Sequence, residues 1–156
     1  MIERVLAHKK EIDADLDQLG AAWRKGWTHD YTAHSVEVLD ILLSLLNRGG
    51  KRLRGALAME SYYLHGGTRQ NIALGAARVI ELVQASLLTV DDIADNSEMR
   101  RGGPSVHVAL AELHKIKGLR GDSYHYGISQ ATNAAVLANH YALIELMTLP
   151  APDTAK

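Results

Sequence analysis

Glu81-Leu82-Val83-Gln84, then Asp91-Asp92-Ile93-Ala94-Asp95, then Arg100-Arg101-Gly102-Gly103-Pro104 mark the stretch that decides how this chain folds. Ahead of the aspartates, residues 72–90 are apolar around most of a helical circumference, the pattern of a helix buried on several sides at the centre of a bundle. On that helix Asp91 and Asp95 are i and i+4 neighbours on one face, with Asp92 beside them. Crowded carboxylates repel unless a hard divalent cation sits among them, and Mg²⁺ is held by one or two carboxylates, waters and substrate phosphate oxygens. Arg100 and Arg101 offer forked donors that match phosphate geometry. Alone, the aspartate cluster is more simply a solvated acidic turn that ends a helix.

A second segment, Gly49-Gly50-Lys51-Arg52-Leu53-Arg54-Gly55, changes that balance. Two glycines end an apolar run and let backbone approach a ligand closely. Lys51 and Arg54 share a face if a helix begins there. The bland alternative is a helix end followed by a basic first turn. Cations at a helix N-terminus oppose its dipole, however, and the arrangement is unfavourable without an anion to recruit.

With both segments in view, the chain resembles the trans-isoprenyl diphosphate synthases, the polyprenyl synthetase family. The likeness runs through Gly49-Gly50-Lys51-Arg52-Leu53-Arg54, Glu81-Leu82-Val83-Gln84, and the run from Asp91 to His107, with order, spacing and residue types in agreement. It covers nearly the whole chain but only the N-terminal half of the family's usual length. The resemblance implies an all-α fold, a helical bundle like the N-terminal half of the isoprenoid synthase fold. It implies a prenyltransferase-type condensation of isopentenyl diphosphate with an allylic diphosphate, and Mg²⁺ as cofactor. By the same resemblance Asp91, Asp92 and Asp95 hold the metal that bridges the allylic diphosphate, and Arg100 joins them at that group. Lys51, Arg54, Gln84 and Arg101 hold isopentenyl diphosphate. Neither Ser86 nor Leu87, four to five residues before Asp91, is aromatic, which in this family implies a geranylgeranyl or longer product.

Composition bounds the alternatives. The 156 residues are long enough for one domain with a fair core, expected over 1–149 with a tail at 150–156. No uninterrupted run of about eighteen apolar residues is present, so no transmembrane segment is expected. No apolar leader follows Glu3 and Arg4, and a cytoplasmic location is expected. The absence of cysteine excludes disulfides and thiolate metal sites. A formal charge of −1 argues against nucleic-acid binding by bulk electrostatics.

The pattern predicts helices throughout. One covers residues 2–20, with Ile2, Val5, Leu6, Ile12, Leu16 and Leu19 as its apolar positions and Gly20 as its stop. Trp23 and Trp27, four apart, share a face that packs in a core or a dimer contact. Further helices are expected over 31–48 and 53–65. A long one runs from an N-cap at Thr68 to Met99, roughly 45 Å. Pro104 suits the first turn of a helix ending near Ile116. Residues 118–121 form a loop, Tyr124-His125-Tyr126 a packed loop, and a last helix covers 126–149. His107 and Arg52 are read as structural, the latter with a surface contact as the alternative. His114, His125 and His140 are too loosely spaced for zinc.

The departures from the family pattern matter. No second aspartate-rich motif is present, Ala135-Val136 stands where a Gly-Asp pair is common, and Gly55 replaces a frequent proline. The expectation is half an active site, in a homo-oligomer or completed by a C-terminal partner. The alternative reading is a non-catalytic helical partner that binds a Mg²⁺-diphosphate.

Overall fold

The computed structural model describes residues 2–150, except for the side chains of Ile2 and Val5. Residues 151–156, most of the expected tail, lie outside the described residues. The chain order is α1 (Ile2–Asp30), α2 (Ala33–Asn47), α3 (Leu53–Leu64), α4 (Gln70–Ala94), β1 (Met99–Arg100), β2 (Gly103–Pro104), α5 (Val106–Ile116) and α6 (Ser123–Thr148). The protein is an all-α bundle, with a short hairpin among the described residues that the sequence reading did not anticipate.

α4 is the central helix. Ala73, Ala77, Leu82 and Ala85 on it are buried, and α6 meets it with Ala131, Ala134, Ala138 and Ala142. Small side chains on both partners let the two helices approach closely, and burial on several sides accounts for the apolar character of α4. By length and composition alone α4 could cross a membrane. It packs instead within the bundle, and partly buried ion pairs tie it to its neighbours: Arg78 bonds Asp15 of α1 at 2.7 and 2.6 Å and Glu145 of α6 at 2.5 Å. Those bonds, to Asp15 first, hold the Arg78 guanidinium above its ordinary pKa.

Element boundaries depart from the sequence reading for identifiable reasons. Gly20 does not stop α1, which continues to Asp30. A Cβ there would meet Leu43 Cδ2 of α2 at 3.2 Å, so this glycine serves a close helix–helix approach. The extension carries Trp23 onto Tyr141, with ring centroids 4.0 Å apart, and lets Trp27 Nε1 donate to the Tyr141 hydroxyl at 2.8 Å. The tryptophans thus join α1 to α6 within one chain. Thr68 is not a cap: α4 begins at Gln70 after Arg69, whose N–H is taken by the Tyr62 hydroxyl at 3.3 Å.

α4 also ends earlier than expected, at Ala94 rather than Met99, and is about 37 Å long. Asn96, at φ 50°, adopts the left-handed conformation; its N–H donates to the Ile93 carbonyl, and Ser97 N–H donates to the Asp92 carbonyl at 2.8 Å. This is the Schellman closure, with asparagine in the usual glycine place. Pro104 lies in β2, and Ser105 is the N-cap of α5. Tyr124, His125 and Tyr126 form the first turn of α6, because Asp122 Oδ1 caps the His125 N–H at 2.6 Å.

The start of α3 hangs on one buried arginine. Arg52, 4% exposed and at φ 50°, donates to Asp13 Oδ1 of α1 at 2.8 Å, Glu81 Oε2 of α4 at 2.9 Å and the Leu46 carbonyl of α2 at 2.5 Å. Its contact is internal, not at the surface. Removing one partner of a buried pair leaves an uncompensated charge, at a loss of about 3–5 kcal/mol, whereas exposed pairs contribute about 0–1. Urea unfolding of Arg52→Met is therefore expected to show a midpoint far below wild type. Arg24→Met, which breaks an exposed pair with Asp40, is expected to leave the midpoint nearly unchanged. Equal shifts in the two variants would contradict this assignment.

Candidate functional site

The last turn of α4 separates the three aspartates. Asp91 and Asp95 are exposed, whereas Asp92 is fully buried. Residues Leu82, Ala85, Thr89 and Asp92 recur at helical spacing on the inward stripe, and all four are buried. Arg100 on β1 closes over this turn, donating from Nε to Asp92 Oδ1 at 2.6 Å and from Nη2 to Asp91 Oδ2 at 3.2 Å. Bonding to Asp92 raises the Arg100 pKa above its ordinary value. The other Asp92 oxygen, Oδ2, is buried without a hydrogen-bond partner.

The hairpin that carries Arg100 sends its neighbour elsewhere. Arg101 at φ 52° and Gly102 at φ 74° form the two-residue turn between Arg100 and Gly103, both with the positive φ that a type I′ hairpin requires. The Arg101 guanidinium lies over Gly50: a Cβ at that glycine would fall 3.0 Å from Nη2 and 3.1 Å from Cζ. Its one bond is a long 3.5 Å contact from Nη1 to the Leu45 carbonyl. Desolvation first, then the cationic neighbours Arg52, Arg100 and Arg48, push its pKa down, against the pull of Glu81. A half-buried guanidinium among cations is a place to which an anion is drawn.

Lys51 and Arg54 flank the start of α3 and are exposed. Gln84 lies seven residues before Asp91, two turns along the same face of α4, and is partly buried. The structure therefore brings Arg100 to Asp91 and Asp92, and Arg101 to the glycine loop that leads into Lys51 and Arg54. It does not bring the three carboxylates together, and among the described residues no group of three or more His, Asp or Glu side chains is placed to hold a metal ion. What faces outward is a pair, Asp91 and Asp95, one helical turn apart. That donor set fits Mg²⁺, which takes one or two carboxylates and fills its remaining positions with water and phosphate oxygens.

Sequence reasoning missed Glu81 as a working residue. It is 4% exposed, pairs with Arg52, and its Oε1 accepts from Gly55 N at 3.4 Å. A charged residue inside an otherwise apolar helix face was the available signal. Tyr124 was also missed: its hydroxyl donates to Asn96 Oδ1 at 3.0 Å and ties α6 to the end of the aspartate turn. His114 is buried against Tyr126 and meets the Arg120 carbonyl, and His140 bonds the Val136 carbonyl of its own helix.

With this geometry in hand, comparison with known proteins identifies the class. The chain matches the polyprenyl synthetase family over residues 36–156 and belongs to it. It is 41% identical to the geranylgeranyl diphosphate synthase of Saccharolobus solfataricus over 92 residues, 59% of this chain and 27% of that one. It is 30% identical to the geranylgeranyl diphosphate synthase of Methanosarcina mazei over 123 residues, 79% of this chain and 34% of that one. The crystal structure of geranylgeranyl pyrophosphate synthase from Corynebacterium glutamicum, complexed with isoprenyl diphosphate and magnesium, superposes with a TM-score of 0.79 at 28% identity. That match covers 94% of this chain and 42% of the other. The chain thus spans less than half the length of these relatives.

His107 sits behind the site, 2% exposed, with Nδ1 and Ser105 Oγ 3.3 Å apart. Desolvation pushes its pKa below the usual 6.5, with Asp92 opposing. Just below pH 6.5 the unfolded chain binds a proton that the folded chain does not, so stability falls as pH drops through that window. Urea unfolding at pH 7.5 and 5.5 is expected to show a larger loss in wild type than in His107→Gln. Equal losses would contradict a neutral, buried imidazole.

Proposed function

We propose that this chain carries the first diphosphate-handling half of a prenyltransferase site, serving condensation of isopentenyl diphosphate with an allylic diphosphate to a geranylgeranyl or longer product. The observation that carries the reading is the division of charge at one end of α4. Asp91 and Asp95 face outward, Arg100 stays beside them, and Arg101 turns to the glycine loop. Family membership and the relatives' activities support it.

Asp91 and Asp95 are the residues that would hold Mg²⁺, which when bound supplies charge neutralisation for departing pyrophosphate. Asp92, buried and bonded to Arg100, orients that guanidinium toward the allylic diphosphate, where it stabilises developing negative charge. Lys51, Arg54 and Arg101, with Gln84, receive isopentenyl diphosphate. Leu87 and Val90, exposed on the turns of α4 leading to Asp91, provide an apolar wall for the prenyl tail and keep water from the reacting carbons. A second reading, a non-catalytic partner that binds a Mg²⁺-diphosphate, is favoured by the exposure of that wall, which is 60% at Leu87.

Leu53, Leu57 and Leu64 of α3, and Val136, Leu143, Ile144, Leu146 and Met147 of α6, are also exposed. Apolar surface of this extent marks a contact face, for a second copy or a completing C-terminal partner. Light scattering of the purified chain is expected to give a mass above the monomer. A monodisperse monomer with little binding of a hydrophobic dye would contradict association.

The reaction itself is tested by incubating the chain with Mg²⁺, labelled isopentenyl diphosphate and a panel of allylic diphosphates, and counting label in organic-extractable product. Product of geranylgeranyl length or longer, lost in Asp91→Ala, is expected. No product, with Mg²⁺-dependent binding of an allylic diphosphate retained, would overturn catalysis by this chain and favour the second reading.

A further inference from the structure

Arg48 follows the last residue of α2 and lies outside the set of residues assigned to diphosphate above. Its Nε donates to the Ser44 carbonyl at 3.2 Å, and its Nη1 crosses to β1 and donates to the Arg100 carbonyl at 3.2 Å. Burial lowers its pKa, with Asp92 opposing. The far side of the hairpin is shaped to it. A Cβ on Gly103 would fall 2.9 Å from both Cδ and Cζ of Arg48, and would overlap Nη1. Gly103 is not among the positive-φ glycines, so its backbone does not call for glycine; a Cβ there would instead displace the Arg48 guanidinium from its place across the hairpin.

The hairpin needs an external hold. Its ladder is two residues on each side, and Arg101 takes a left-handed conformation that a side chain adopts only under constraint. Ser105 N–H to the Glu98 carbonyl, at 2.9 Å, ties its base. Arg48 grips its middle, at the carbonyl of the residue whose side chain meets Asp91 and Asp92. Only a planar guanidinium, with donors on a rigid fork, spans the α2 carbonyl and the hairpin carbonyl together.

We propose that Arg48 and Gly103 are a matched pair, with Arg48 a positioning residue that clamps the Arg100–Gly103 turn and so sends two consecutive arginines to two separate anion positions. One is Arg100, beside the exposed aspartates. The other is Arg101, over the glycine loop. The inference rests on the diphosphate reading above and deepens it: discrimination between two diphosphates at one end of the bundle depends on this clamp.

The full chain and four variants test it: Arg48→Met, Arg48→Lys, Gly103→Ala and the double variant Arg48→Met with Gly103→Ala. Two quantities are measured, amide hydrogen exchange at Gly103 and Ser105, and affinity for inorganic pyrophosphate with Mg²⁺ by calorimetry. Arg48→Met and Gly103→Ala are each expected to speed exchange and to weaken pyrophosphate binding by about tenfold, the scale of one lost hydrogen bond. The double variant is expected to be no worse than either single one, because both remove the same contact. Arg48→Lys, which keeps a donor for the Arg100 carbonyl, is expected to fall between. Unchanged exchange in Arg48→Met, or effects that add in the double variant, would overturn the matched pair. Wild type that binds no pyrophosphate, while exchange still answers to Arg48, would uphold the clamp but overturn its anion duty together with the proposed function.

Discussion

The buried guanidinium of Arg52 is the constraint on which the rest of the arrangement depends. Its side chain bonds α1, the end of α2 and the middle of α4, while its backbone opens α3. Water cannot reach it, so its charge is tolerable only if it is paired and hydrogen-bonded. Asp13, Glu81 and the Leu46 carbonyl take one donor from each of its three nitrogens, three of the five N–H groups. The Arg52 backbone, in a left-handed conformation, turns the chain between Lys51 in the loop and Arg54 in the first turn of α3.

A second ion pair, buried on its acidic side only, lies at the end of α4. Asp92 is withdrawn from solvent and bonded to Arg100, so the acidic turn presents two carboxylates rather than three. Arg100 and Arg101 part where the hairpin turns, Arg100 pairing with Gly103 in the ladder and Arg101 standing at positive φ in the turn. The acidic face and Arg100 lie at the end of α4, and Arg101 reaches from there to the glycine loop, which Arg52 ties to Glu81 in the middle of the helix.

Much of this was legible in the residues. The all-helical order, the aspartate turn at the end of the central helix and the basic loop at the start of α3 all follow from periodicity and motif spacing. The turn of the aspartates was legible too, because Leu82, Ala85, Thr89 and Asp92 fall on one stripe, yet motif matching treats Asp91, Asp92 and Asp95 alike. Other features depend on tertiary context. Gly20 reads as a helix stop until Leu43 of another helix is known to fill the space beside it. Thr68 reads as a cap until the cap position is seen to fall one residue later, at Arg69, whose N–H donates to the Tyr62 hydroxyl. The early end of α4 rests on Asn96 entering a left-handed conformation, and the hairpin on Arg101 doing the same, choices that side-chain patterns do not encode.

The central claim is that Asp91 and Asp95 together form the cation face of a diphosphate site. Titrating the isotope-labelled chain with Mn²⁺ and inorganic pyrophosphate, and following paramagnetic broadening of its amide signals, tests this most directly. The account predicts that Asp91 and Asp95 broaden first, then Arg100 and the Gly49–Gly50 loop, and that Asp91→Asn abolishes the effect. Broadening centred elsewhere, such as the His8–Glu60 contact, or broadening indifferent to Asp91→Asn, would contradict it.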